Sequence, residues 1–302
     1  MTITFRTIAD LNQIYYRSLL TADTNHPHIH LVDMPFRVNS TWQDRGCEVG
    51  VWEQAGELLA WAYFQPPWGV MDHAIHPELR GTELERKVFS WALRTMQSYA
   101  DRTGESFAGT IEYYEDTPNL DKTVATLTDL GYKPIDWSVY RYSLDLMQEV
   151  PEPNVADGYV VRALKGAEEA AQYARLIDNV FGPGWLTVDW KLRQLSDPHY
   201  IPEFDLVIEH LSTGDLVGFC HCWMHNNVAQ IEPLGVHPDH HRRGLGSALE
   251  RTALQVCKAK GAHTMLVDHG STNEGAILLS TKTGFQQINN ELRWAVEFGS
   301  NE

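Results

Sequence analysis

Cationic side chains are scarce in this sequence. Against 40 Asp and Glu it carries only 24 Lys and Arg, a formal net charge of −16. Nucleic acids and anionic membrane surfaces select for a basic footprint, so neither is an expected partner. Cysteine is equally scarce: Cys47, Cys220, Cys222 and Cys257 are irregularly spaced, which suits reduced thiols in a cytoplasmic protein rather than a disulfide framework. No run of 18 apolar residues is present to cross a membrane. The opening stretch, MTITFRTIADLNQ, lacks the basic segment and apolar run of a secretion signal.

What is there is a chain of 302 residues, 43% hydrophobic and 21% charged, enough for two domains that each bury a core. The chain also repeats itself. ITFRTIAD near the start resembles YVVRALKG at 159–166, and CEVGVWEQAGELLAWAYF (47–64) resembles DLVIEHLSTGDLVGFCHCWM (205–224). Each of the latter pair is two alternating apolar stretches around a glycine-containing turn, a hairpin signal. AIHPELRGTELERKV (74–88) parallels GVHPDHHRRGLGSAL (235–249), LTDLGYKPI (127–135) parallels STKTGFQQI (280–288), and VYRYSLDL (139–146) parallels ELRWAVEF (291–298). Matched segments in one order at a nearly constant offset indicate two copies of one fold. The expected boundaries are a first domain over 1–147, a linker over 148–158 (QEVPEPNVADG, with Pro151, Pro153 and Gly158), and a second domain over 159–302.

Within a copy the order reads strand, helix, hairpin, strand, helix, strand, helix, strand. Helices alternating with strands give an α/β (α+β) class, each copy a mixed, mostly antiparallel sheet flanked by helices. The first helix is expected over 11–23 in one copy and 167–181 in the other.

The copies differ most at one turn. In the second, the strand VAQIEPLGV (228–236) runs into Arg242, Arg243, Gly244, Leu245, Gly246 and Ser247, and then into a helix whose apolar residues Ala248, Leu249, Thr252, Ala253, Val256 and Cys257 share a face. A helix N-terminus offers free N–H groups and partial positive charge, glycines let a phosphate approach them, and arginines add cationic donors. This reads as a pyrophosphate cradle. Plain turn chemistry is a second reading. A dinucleotide site is a third, with Asp268 near the ribose position but Leu249 where its last glycine belongs. A P-loop would require a Gly-Lys-Ser/Thr that is missing. The first copy has Glu83 and Glu85 in place of Gly244 and Gly246. Acidic residues in a first helical turn stabilise the helix and repel a pyrophosphate, so that copy is expected to keep the fold without the cofactor.

Together these residues resemble the GCN5-related N-acetyltransferase (GNAT) family, in its tandem two-domain form. The family's acetyl-CoA signature, Gln/Arg-x-x-Gly-x-Gly/Ala after a Val-x-Pro strand end, is matched by His241, Arg242, Arg243, Gly244, Leu245 and Gly246 after Val236-His237-Pro238. Its later signature is matched by Asn273, Ala276, Leu279 and Gly284-Phe285, with Ser280 in the tyrosine position. The resemblance implies transfer of an acetyl group from acetyl-CoA to a primary amine of a small molecule or peptide, in the second copy, without a resident metal. Strand N–H groups at Leu234, Gly235 and Val236 are expected to hold the pantetheine arm and polarise the thioester, and Asn273 to contact the arm or cap its helix. Glu232, on the same strand face as Gln230 and Leu234, is the candidate base; its other reading is a solvated or ion-paired carboxylate. Some relatives carry the carboxylate at the position of Gln230, which cannot act as a base. Ser280 stands where the family has the tyrosine that serves as general acid. A serine is a poor acid at neutral pH but can hydrogen-bond to the cofactor; Tyr, His or Cys from elsewhere, or solvent, is the other source of the thiolate's proton. An acetyl-CoA-binding protein without catalysis is the alternative. The alternating histidines His26, His28 and His30 suit a substrate-side loop better than zinc. The tandem repeat is expected to act as a monomer.

Overall fold

The computed structural model describes residues 2–9 and 31–299, so the expected helix at 11–23 and the histidines at 26–30 lie outside the described residues. The strands and helices are β1 (Thr4–Ile8), α1 (Met34–Val38), β2 (Val49–Gln54), β3 (Glu57–Gln65), β4 (Val70–Ile75), α2 (Glu83–Thr103), β5 (Phe107–Tyr114), α3 (Leu120–Asp129), β6 (Lys133–Pro134), β7 (Val139–Asp145), β8 (Tyr159–Ala163), α4 (Ala170–Phe181), α5 (Val188–Leu195), β9 (Asp205–His210), β10 (Asp215–His225), β11 (Val228–Val236), α6 (Leu245–Ala259), β12 (Thr264–Gly270), α7 (Glu274–Thr283) and β13 (Gln286–Phe298). The repeated sequence segments thus become repeated elements. Even an ion pair is repeated: Arg6 Nε lies 2.9 Å from Glu53 Oε2, and Arg162 Nε 2.7 Å from Glu209 Oε2.

Two compact units result. One contains residues 1–34, 41–139 and 289–302, and the other residues 35–40 and 140–288. Strand order in the first is β1-β2-β3-β4-β5-β13, and in the second β7-β12-β11-β10-β9-β8. Neighbours are mainly antiparallel, with parallel pairing of β4 to β5 and β11 to β12.

The units therefore differ from a division at 147 and 159. From Tyr140 the strand ending the first repeat lies in the second unit, and from Asn289 the strand ending the second repeat lies in the first. There β13 runs antiparallel to β5, Glu291 opposite Tyr114 and Phe298 opposite Phe107, and it buries Trp294, Ala295 and Phe298. The stretch 148–158 is also no loose tether. Val150, Val155 and Ala156 pack on the second unit's core, and the carbonyls of Gln148 and Glu152 accept hydrogen bonds from Lys258 and Arg251 of α6. Proline and glycine mark a break in regular structure, which is compatible with a strap held along a helix.

In the second unit α6 packs on the sheet through Leu245, Ala248, Leu249, Ala253, Leu254 and Cys257. Thr252 and Val256, expected on this face, are only half-buried, and Leu254 and Glu250 are buried instead. Burial of such an apolar stripe contributes about 1.5–3 kcal/mol per large side chain. The helix ends at Ala259, with Gly261 at φ +95°, the left-handed stop that glycine adopts without penalty. All four cysteines are buried free thiols.

Candidate active site

The second unit's sheet opens between two neighbouring strands. β11 and β12 pair in parallel from Val228–Thr264 to Ile231–Val267 and no further, although β11 continues to Val236 and β12 to Gly270. Beyond Ile231 the strands diverge into a wedge. His237 N donates to Val217 O on β10. Strand alternation then gives the Gly235 N–H to β10 and turns those of Leu234 and Val236 towards the wedge. Gly235 has a packing role: a Cβ there would meet Phe219 Cζ at 2.5 Å and Val180 Cγ1 at 2.8 Å.

The wedge holds a cavity of about 180 Å³. Its walls are Glu232, Pro233 and Leu234 of β11, Asp268 and His269 of β12, and Asn273, Leu279 and Ser280 of or beside α7, with Phe181 and Trp185 on a further side. Asn273 caps α7, its Oδ1 accepting from Ala276 N at 3.2 Å, so it caps and faces the cavity at once. Asp268 is held by a bidentate pair with Arg141, at 2.9 and 2.6 Å, and Leu249 is a core residue. Neither serves a dinucleotide site.

Next to the wedge lies the turn into α6. Arg242 has φ +58° and Gly244 φ +78°. A left-handed arginine costs about 1–2 kcal/mol, a strain characteristic of binding turns. The His241 ring closes the turn by donating to Val236 O at 2.8 Å. Arg243 is anchored through Tyr159 Oη at 2.9 Å, which also meets His240 Nδ1 at 2.9 Å. Arg242 remains at the surface. Ala248 N is the first helix donor satisfied locally, by Gly244 O; among the described residues none accepts from the N–H groups of Gly244 through Ser247. Among the described residues no side chain caps the helix.

Packing does not require the glycines here. A Cβ at Gly244 would meet nothing within 4 Å, and one at Gly246 only Leu279 Cδ2, at 3.5 Å. Glycine inside a helix costs roughly 0.5–1 kcal/mol relative to alanine. Open N–H groups, left-handed turn residues with Gly244 among them, and a Gly246 without a steric duty make a concave donor surface that fits a diphosphate.

At the back of the cavity Ser280, a candidate from the sequence, is joined by Glu250, His269 and Thr283, which the sequence alone does not single out. Ser280 is fully buried, its Oγ 2.8 Å from Glu250 Oε1 and 2.9 Å from His269 Nε2. Thr283 Oγ1 also hydrogen-bonds to Glu250. Burial raises the Glu250 carboxyl above the usual range and lowers His269, keeping its imidazole neutral. The signal for Glu250 was its spacing: Gly246, Glu250, Ala253 and Cys257 form one helical stripe. Among the described residues, no group of three or more His, Cys, Asp and Glu side chains gathers as a metal ligand set. No described helix is long and apolar enough to cross a membrane.

Residues 172–285 match the Acetyltransferase (GNAT) family. A mycothiol acetyltransferase of Streptomyces avermitilis is 26% identical over 153 residues, 49% of this chain and 50% of that protein. One of Thermobispora bispora is 23% identical over 256 residues, 80% of this chain and 79% of that protein. The chain spans about half the length of several curated relatives that it matches. Among solved structures, a tandem GNAT protein from the clavulanic acid biosynthesis pathway superposes with a TM-score of 0.69 at 16% identity, over 100% of both chains.

Proposed function

We propose that this chain, which belongs to the GNAT acetyltransferase family, transfers the acetyl group of acetyl-CoA to a primary amine in the wedge of its second unit. The carrying observation is the junction of two features: a cradle of N–H groups without acceptors among the described residues, and a cavity between parting strands lined by Glu232 and Ser280. The N–H groups of Gly244 through Ser247, with Arg242 and the anchored Arg243, hold the diphosphate of the cosubstrate. The pantetheine arm follows the exposed edge of β11, where the Leu234 and Val236 N–H groups polarise the thioester carbonyl. Asn273 contacts the arm from the start of α7. Glu232 accepts the proton that the amine loses as its nitrogen bonds to the carbonyl carbon. Phe181 and Trp185 give the acceptor an apolar wall. The relatives named as mycothiol acetyltransferases favour a small-molecule acceptor. The repeats, 1–147 and 159–302, are two copies of one acetyltransferase fold, and only the second binds the cosubstrate.

Replacement Gly246→Glu tests this reading by installing the first copy's residue. Calorimetric titration with acetyl-CoA should show affinity reduced about 100-fold or more, equivalent to about 2.7 kcal/mol, with an unfolding temperature no lower than that of wild type. Wild-type affinity in the folded variant would remove the diphosphate from this turn.

A further inference from the structure

The inner end of the cavity is closed by an uncommon arrangement for a packed core. Glu250 faces inward from the middle of α6, 1% exposed, on the helix face that also buries Leu249, Ala253 and Leu254. Isolated carboxylates are rarely buried unless paired, and among the described residues no ion pair reaches this one. Its partners are hydroxyls: Ser280 at 2.8 Å on one oxygen, Thr283 on the other. Ser280 in turn meets His269 Nε2 at 2.9 Å. Glu250, Ser280 and His269 all line the cavity that Glu232 lines from β11.

A serine hydroxyl alone is too weak an acid to protonate a departing thiolate near neutral pH. A carboxylic acid directly behind it removes that limit. Building on the acetyl-transfer reading above, we propose that Glu250 holds a proton and delivers it through Ser280 to the thiolate sulfur released from acetyl-CoA.

The step balances as follows. The amine nitrogen bonds to the acetyl carbon and the C–S bond breaks, its electron pair going to sulfur. Glu232 takes the proton from nitrogen. Sulfur takes the Ser280 hydroxyl proton, and Ser280 takes the proton of Glu250. One proton then returns from Glu232 to Glu250 through solvent. In the structure Ser280 Oγ donates to Glu250 Oε1 and meets His269 Nε2. With Glu250 protonated the Glu250–Ser280 bond reverses, and Ser280 donates to the neutral His269 ring, whose Nε2 accepts, until the thiolate forms and takes that proton. His269 is thus a positioning residue that orients the hydroxyl. The titratable and charged groups around Glu250 are His269 and the Arg141-paired Asp268 on β12, Glu232 on β11, Cys220 on β10 and Arg251 on its own helix.

Two measurements test the relay without an identified amine, using the full chain and the variants Glu250→Gln and Ser280→Ala. The first is the infrared difference spectrum between wild type and Glu250→Gln at neutral pH. It should contain the C=O stretch of a protonated carboxylic acid; carboxylate bands alone would overturn the proposal. The second compares CoA with acetyl-CoA binding by calorimetry from about pH 6 to about pH 9. Where Glu250 is ionised, the S–H of bound CoA shares its proton with the Ser280–Glu250 pair, a contact that the thioester lacks, so the wild-type ratio of CoA to acetyl-CoA affinity should shift about 10-fold across this range. The ratio should stay flat in Glu250→Gln, whereas Ser280→Ala should keep the infrared band and lose the hydroxyl link. Identical ratios in wild type and Glu250→Gln at every pH would overturn the relay while leaving the acetyl-CoA site intact. Failure of wild type to bind acetyl-CoA would instead overturn the acetyl-transfer reading, and the relay with it.

Discussion

The two repeats solve the same local problem in opposite ways. Both contain a parallel strand pair that parts early, β4 from β5 beyond Val70–Thr110 and β11 from β12 beyond Ile231–Val267. Three residues further on, the second copy has Leu234 and Gly270, and a cavity. The first has His73 and Tyr113, both buried, with ring centroids 5.1 Å apart, and Phe89 5.5 Å from His73. Aromatic side chains fill the first wedge. The helix that follows shows the same contrast. In the first copy Thr82 caps α2 by accepting from Leu84 N at 3.3 Å. Glu85 turns inward, where its carboxyl accepts from Gly81 N at 2.9 Å, Tyr113 Oη at 3.1 Å and Thr123 Oγ1 at 3.0 Å. That copy brings its own anion to the turn. The second copy leaves the turn's donors open, as a site for a ligand's anion must be. The difference separates what the fold needs, a satisfied helix start, from what a ligand can supply.

The contrast can be broken at several points. The largest effect is expected at Glu232, which has no carboxylate counterpart in the first copy, where Met71 stands one residue beyond Val70. Glu232→Gln should lower turnover of acetyl-CoA with an accepted amine about 100-fold while sparing cosubstrate affinity; steady-state kinetics beside calorimetry check the split. Thr82→Ala removes the cap that the second copy lacks and should cost about 1 kcal/mol of stability in chemical denaturation. Gly246→Ala should do the reverse. Its Cβ has room beside Leu279, so thermal unfolding should report about 0.5 kcal/mol of added stability, together with weaker acetyl-CoA binding. A glycine that lowers both stability and affinity would have no place in a cradle.

Much of this was legible in the sequence because the relevant signals are local. The hairpins, the Gly261 stop and the Arg242–Ser247 turn each follow from neighbouring residues and backbone preferences. The repeat gave the element order. Two features were not legible. The unit to which a terminal strand belongs is decided by tertiary pairing, and VYRYSLDL and ELRWAVEF read alike. The Glu250–Ser280–His269 cluster joins side chains from α6, α7 and β12. In sequence Glu250 looks like one of many surface glutamates, and only the stripe through Gly246, Ala253 and Cys257 hinted otherwise. Glu85 is legible in the sequence as an acidic residue in a glycine's place, but its inward hydrogen bonds depend on Tyr113 and Thr123, 28 and 38 residues away.

The most direct test of the contrast is the stoichiometry of acetyl-CoA binding to the purified wild-type chain, measured by calorimetry. The account predicts one site per chain. Two sites would show that the filled wedge and Glu85 do not exclude the cosubstrate, and none would contradict the proposed cradle itself.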